Sequence, residues 1–187
     1  MFTELLVRHC SPVLAGLKTA NMFACPFSDR EEMRACVSRL NRRLREKGLR
    51  ILPLRFCENR ALIYVYRPAR LARDLRQDGA ARLLTEYGYL AEAPARCLVH
   101  LMQRLSQGGE FPHEIGLFLG YPPEDVCGFI HDASACKFAG LWKVYGDETA
   151  ARRTMDRFHK CTRLYCDRFG QGCPLERLAV RERARVS

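Results

Sequence analysis

A chain of 187 residues, 48% of them apolar, can bury one sizeable core or two small ones, so one domain of two lobes is the expectation. The net charge of +10 leaves polyanion attraction open; of 31 basic residues, however, only Lys18, Lys47, Lys137, Lys143 and Lys160 are lysine, a bias toward arginine that coding-genome base composition also produces. Apolar runs such as Ala61 to Val65 fall far short of the roughly twenty residues that cross a bilayer, and MFTELLVRHC lacks the order of a signal peptide, which places the protein in the cytoplasm.

Residues 2 to 9 read as a short helix stopped ahead of Ser11-Pro12, because the residue before a proline is pushed out of the helical region. PVLAGLKTANMFACPF then reads as extended. A strand over 13 to 24 puts Lys18 on one face with Gly16 and Ala20, leaving room for a ligand beside its ammonium. Cys10, at the edge of that element beside His9, is placed for a nearby cation to stabilise its thiolate; the competing reading is an interior strand whose Lys18 reaches solvent at its end. Ser28-Asp29 caps a helix from 30 to 47, with Met33, Val37, Leu40 and Leu44 at helical spacing and Gly48 as its stop. Arg30, Arg34, Arg39, Arg42, Arg43 and Arg45 flank that stripe, and a solvated outer face is preferred there to a polyanion site. LRILPLRF and RALIYVYR, separated by Cys57-Glu58-Asn59, form a hairpin, with Pro53 marking an edge or a bulge.

Helices then dominate, near 68 to 76, 79 to 87 and 95 to 106. On the last, Leu98, Leu101, Met102 and Leu105 make one face and His100 points away from it to the surface. HEIGLFLGYPPEDVCGFIHD, residues 113 to 132, has the spacing of a helix-turn-helix. Gly120 falls in the turn, Gly116 where the first helix needs a small residue, and Ile115, Leu119, Tyr121, Val126 and Phe129 where the two helices meet. Pro122 or Pro123 opens the second helix, and Glu124 and Asp125 suit its first turn through the dipole. A two-helix corner is expected, but DNA reading by it is not, since a recognition helix presents its first residues to bases and phosphates. From Glu110 to Cys136 the chain has five acids and no Lys or Arg. HEIGL also lacks the second His of a zinc-protease motif.

KFAGLWKVYG reads as extended, and a long helix follows from Asp147 to about Phe169 with Ala151, Met155, Phe158, Thr162 and Tyr165 on its apolar side. RERARVS reads as a frayed tail. Ten cysteines without an export signal are read as reduced thiols, and no Cys-x-x-Cys pair occurs. FHKCTRLYCDRFGQGC has the density of a metal site, yet on a helix His159 and Cys161 lie about 200° apart and Cys161 and Cys166 about 140° apart, so neither pair converges on one ion. Cys166 with Cys173 is left as a partial site or redox pair behind the preferred reading of structural cysteines, and no metal is expected.

CKFAGLWKVYGD echoes the earlier segment: Cys136, Ala139-Gly140-Leu141 and Lys143 stand against Cys10, Ala15-Gly16-Leu17 and Lys18. Trp142 is inserted, so the echo does not amount to a repeat. Trp142, Lys143 and Tyr145 combine aromatic surface, cation and hydroxyl, and lysines on two neighbouring strands could hold a carboxylate or phosphate. HCSPVLAGLKTANMF, ENRALIYVYR, HEIGLFLGYPPEDVCGFI and CKFAGLWKVYGD together resemble a bacterial family, found largely in anaerobic Gram-positive organisms, known as domain of unknown function 3793. The resemblance runs from about residue 4 to 165, leaving Cys166 and Cys173 outside. It implies a cytoplasmic bacterial protein and carries over no catalytic residue.

The element order predicts an α+β fold, a small mixed or antiparallel sheet of three to four strands with a predominantly helical second half. One domain is expected over 1–187, with an α/β lobe over 1–90 and a mainly helical lobe over 91–187 contributing one strand. The functional expectation is a cytoplasmic protein that binds a small anionic metabolite or cofactor through His9, Lys18, Trp142, Lys143 and Tyr145, or a thiol-using enzyme with Cys10 or Cys136 as nucleophile. No cofactor is named by the sequence. The alternative is a nucleic-acid-associated regulatory protein using its Arg-rich helices; nucleic acid is the less favoured partner, and a membrane is not expected as one.

Overall fold

In the computed structural model, which describes residues 1–107 and 110–182, the first helix does not stop at Ser11-Pro12. Helix α1 spans Phe2–Leu14 with Pro12 inside it. Leu6, Val7, Cys10, Val13 and Leu14 recur along one face, and all are buried. A proline within a helix costs about 3 kcal/mol, while each fully buried Val or Leu contributes about 1.5–3 kcal/mol; Val13 and Leu14 together outweigh the penalty. The helix ends at Gly16, whose φ of 71° is left-handed. There the N–H groups of Gly16 and Leu17 donate to the carbonyls of Val13 (3.1 Å) and Pro12 (2.8 Å), a Schellman closure. The strand therefore begins at Ala20, and Lys18 lies in the turn ahead of it. The expected strand face joining Lys18 to Gly16 and Ala20 does not form.

Two compact units result, one of 1–68 with the residues from Lys160 onward, the other of 69–159. In the first, β1 (Ala20–Pro26), β2 (Arg50–Cys57) and β3 (Arg60–Tyr66) form an antiparallel sheet in the order β1-β3-β2. The uninterrupted apolar run of β3 suits a central strand. Pro53 stands on the edge strand β2, where the register slips between Pro53 and Arg55. Glu58-Asn59 turn the β2–β3 hairpin, with Cys57 opposite Arg60. Helix α2 (Arg30–Leu44) is capped by the Asp29 carboxylate, which accepts from the Glu31 N–H at 2.6 Å, and a 3-10 turn carries it to Gly48. Its stripe of Met33, Val37, Leu40 and Leu44 joins α1, the sheet residues Phe23, Ile51, Ile63 and Val65, and the short α9 (Leu175–Leu178) in one core.

Arg67, just beyond β3, is fully buried in that unit. Its Nε donates to the Val13 carbonyl at 2.7 Å, Nη2 to those of Leu14 and Val180 at 2.8 Å each, and Nη1 to that of Lys47 at 3.2 Å. The Glu182 carboxylate lies 3.9 Å from Nη1. A fixed fork of five N–H donors meets carbonyls from three separate chain segments, and the charge sits at the negative end of the α1 dipole.

The second unit holds α3 (Pro68–Asp74) from Ala69 on, α4 (Asp78–Glu86), α5 (Pro94–Ser106), α6 (Ile115–Phe118) and α7 (Pro123–His131). KFAGLWKVYG is two strands of two residues each, β4 (Phe138–Ala139) and β5 (Lys143–Val144), turned back on one another. Helix α8 (Glu148–Gly170) follows and supplies its later residues to the first unit. The expected corner forms between α6 and α7, and a Cβ on Gly116 would come within 2.8 Å of Val126. Two of the corner's five acids are interior. Glu114, 1% exposed, accepts from the Tyr89 hydroxyl at 2.7 Å and pairs with Arg104 at 2.9 Å; Asp125 is described below. His100, expected to face outward, lies against Tyr89 with the ring centres 4.3 Å apart and the rings tilted, a contact that the helical wheel does not reveal because Tyr89 precedes α5. The fold is thus α+β with a three-stranded antiparallel sheet and a helical second half. Among the described residues no helix is long and apolar enough to cross a membrane. Of the tail RERARVS, Arg181 pairs with Glu46 and the Glu182 N–H donates to the Lys47 carbonyl, while 183–187 lie outside the described residues.

Candidate functional site

The site residues picked from sequence divide between the units: His9, Cys10 and Lys18 belong to the first, Cys136, Trp142, Lys143 and Tyr145 to the second. In the first, Lys18 is 9% exposed and its ammonium donates to Asn21 Oδ1 at 3.1 Å. The Asn21 amide in turn donates to the His9 carbonyl, and the His9 ring stacks on Phe23 at 5.5 Å. Burial, then the neighbouring Arg8, lowers the imidazole pKa of His9. Cys10 is fully buried in α1. Burial pushes its thiol up to about 12 and the Lys18 ammonium down to about 8, and the charge of each offsets only part of the other's shift. A thiol held that high is protonated near neutral pH, and the thiolate is the nucleophile.

This pair has a signature in stability. Between pH 8 and 10.5 the unfolded chain keeps a proton on Lys18 that the folded chain has released, so stability rises with pH across that window. Cys10 acts oppositely from pH 9 to 12, where the folded thiol keeps a proton that the unfolded one has lost, and stability falls. A net rise is expected between pH 8 and 9, and urea denaturation should show it flattened in Lys18→Met.

In the second unit α6, α7 and the β4–β5 hairpin line a pocket of about 200 Å³. Ile115, Leu119, Val126 and Phe129 give it apolar walls, Tyr121 and Trp142 an aromatic side, and His113 and Lys143 polar points. Asp125, 3% exposed, organises this wall. Its Oδ2 accepts from the Trp142 indole N–H at 2.7 Å, and its Oδ1 accepts from the backbone N–H groups of Tyr145 and Gly146 at 2.7 and 2.8 Å. The Tyr121 ring stacks on Trp142 at 5.2 Å. The Lys143 ammonium lies 5.4 Å from the centre of the Phe129 ring and donates to the Ala133 carbonyl at 2.7 Å. His113 meets Phe129 edge-on at 4.9 Å.

Trp142 and Lys143 thus line one pocket, whereas Cys136 and Tyr145 stand outside its lining. Cys136 is half-buried. The Tyr145 ring packs on α7 where a Cβ on Gly128 would come within 2.3 Å of it, so that position admits only glycine. Its hydroxyl is buried with no hydrogen-bond partner among the described residues, and burial raises its pKa. Sequence reasoning placed Asp125 in a helix dipole and gave His113 and Phe129 no ligand role. The available signal was an acid, Asp125, beside the apolar Val126 in a corner that precedes the chain's single tryptophan by less than twenty residues. Cys166 and Cys173 pack against the first unit's core, and among the described residues no three His, Cys, Asp or Glu side chains gather as a metal site.

No curated protein and no solved structure matches the chain. The family match runs on past Tyr165, where the resemblance in sequence was expected to end, and takes in Cys166 and Cys173. It covers residues 6–179, and the chain belongs to the family described as Protein of unknown function (DUF3793).

Proposed function

We propose that the protein binds a small organic anion with a ring-sized apolar body in the pocket of its second unit. The observation that carries this reading is the junction of aromatic and aliphatic walls with the Lys143 ammonium in one space of about 200 Å³. A dry apolar cavity of roughly 150 Å³ already admits benzene, so a ring carrying one carboxylate or phosphate matches the volume. Phe129 and Trp142 face the ring, and Lys143 with His113 faces the charged group. Binding is favoured over thiol chemistry because Cys10 is held as a buried thiol and Cys136 stands outside the lining. A reducing cytoplasm suits a chain that uses Cys10, Cys25 and Cys97 as buried core residues.

As the only tryptophan, Trp142 reports on the pocket directly. Titration with benzoate, indole-3-acetate and phenyl phosphate is expected to shift its emission saturably for at least one of them, with benzamide, the uncharged counterpart of benzoate, inert. Lys143→Met should weaken that binding about tenfold, near 1.4 kcal/mol. Emission indifferent to every acid, together with no bound mass in native mass spectra of protein purified without oxygen, would overturn the reading.

A further inference from the structure

A second feature lies in the first unit and is independent of the pocket. Between α2 and the outer edge of β2 runs an open groove of about 540 Å³. Arg34, Arg42, Arg45 and Arg50 line it over a floor that includes Ile51 and Leu52, and none of the residues lining it is acidic. Arg34 and Arg42 follow one side of α2, about 12 Å apart along its axis, and Arg45 opens the 3-10 turn three residues on. Arg50 rises from β2 on the opposite wall. Arg34 pairs with Glu31 at 2.9 Å, but those side chains are 60% and 77% exposed, the kind of ion pair that yields to a phosphate.

Two occupants compete for such a place: an extended peptide adding to the sheet edge, or a run of anions on the guanidiniums. The edge is already engaged. The Asn41 carboxamide accepts from the Ile51 N–H and donates to the Ile51 carbonyl, both at 2.8 Å, as a neighbouring strand would. Pro53 has no N–H to offer. A peptide strand therefore finds no ladder to extend, whereas each guanidinium can hold a phosphate through two N–H groups. We propose that this groove binds the phosphodiester backbone of a single-stranded nucleic acid, with unpaired bases covering the aliphatic floor. A duplex keeps its bases stacked inside and has none to lay on that floor.

Fluorescence anisotropy of the full chain with labelled twelve-nucleotide oligo(U) and oligo(dT), and with a twelve-base-pair duplex, tests this between 50 and 200 mM salt. Four neutralised phosphates predict a slope of log affinity against log salt near −2.8, at about −0.7 for each on a single strand. Arg42→Gln/Arg45→Gln is expected to weaken single-strand binding at least tenfold at the lowest salt and to bring the slope to about −1.4. Arg153→Gln/Arg157→Gln, an equal loss of charge on the exposed side of α8, should change affinity less than twofold. All four arginines are exposed, so circular dichroism should match the parent chain. Equal losses in the two double variants, a duplex bound as tightly as the single strand, or no binding of either would overturn the proposal.

Discussion

Arg67→Ala is expected to lower unfolding free energy by about 3–5 kcal/mol, the largest single effect in the first unit. The guanidinium is fully buried and donates to four backbone carbonyls, at Val13, Leu14, Lys47 and Val180. Hydrogen bonds from a charged donor are worth about 1.5–3 kcal/mol each. Some of that is returned because Val13 and Leu14 also accept backbone N–H groups, from Gly16 and Val180. Truncation also leaves a cavity where a long side chain stood. Arg67→Lys should recover less than half of the loss, since one ammonium cannot span carbonyls arranged for a planar fork. Glu182→Gln is expected to cost under about 1 kcal/mol, because its carboxylate is 3.9 Å away and partly exposed. Urea denaturation of the three variants checks the ranking; an Ala variant within 1 kcal/mol of the parent would refute the clasp.

Asp125→Asn is expected to cost about 2–4 kcal/mol and to change the emission of Trp142. The carboxylate accepts three hydrogen bonds, two from backbone N–H groups on Oδ1 and one from the indole on Oδ2. An asparagine offers one oxygen, so its amide nitrogen would confront either the indole N–H or the two backbone N–H groups, donor against donor. With Trp142 no longer held, the aromatic wall loosens. Emission should move toward the solvent-exposed wavelength even where the variant remains folded, and fluorescence beside chemical denaturation separates the two effects. An unchanged spectrum with unchanged stability would show that Asp125 does not set the pocket.

Elements with strong local periodicity were legible in the sequence. The stripe of α2, the β2–β3 hairpin with its edge proline, the α6–α7 corner and α8 all fall within a few residues of expectation. Long-range burial overrode local rules elsewhere. Pro12 predicts a helix end, yet Val13 and Leu14 carry α1 past it into the core. In the candidate pocket, Trp142 and Lys143 stood out because their chemistry is rare in this chain, whereas His113 and Phe129 were hidden in the pattern of the corner. Arg67 could not have been found by pattern. Its partners are main-chain carbonyls as distant as Val180, and a carbonyl leaves no mark on the choice of amino acid.

The same clasp bears on the protein's synthesis. Val180, which binds both Arg67 and Leu14, leaves the ribosome more than a hundred residues after them. At about 5–20 residues per second, the core around α1 waits on the order of ten seconds for α9 and the end of α8 to complete it. The intervening stretch can mature as it emerges, while the earlier one stays sticky until α9 has been made. Chaperone dependence in the living cell should therefore follow the fate of residues 1–68, and moving α9 ahead of α1 in the chain should relieve it.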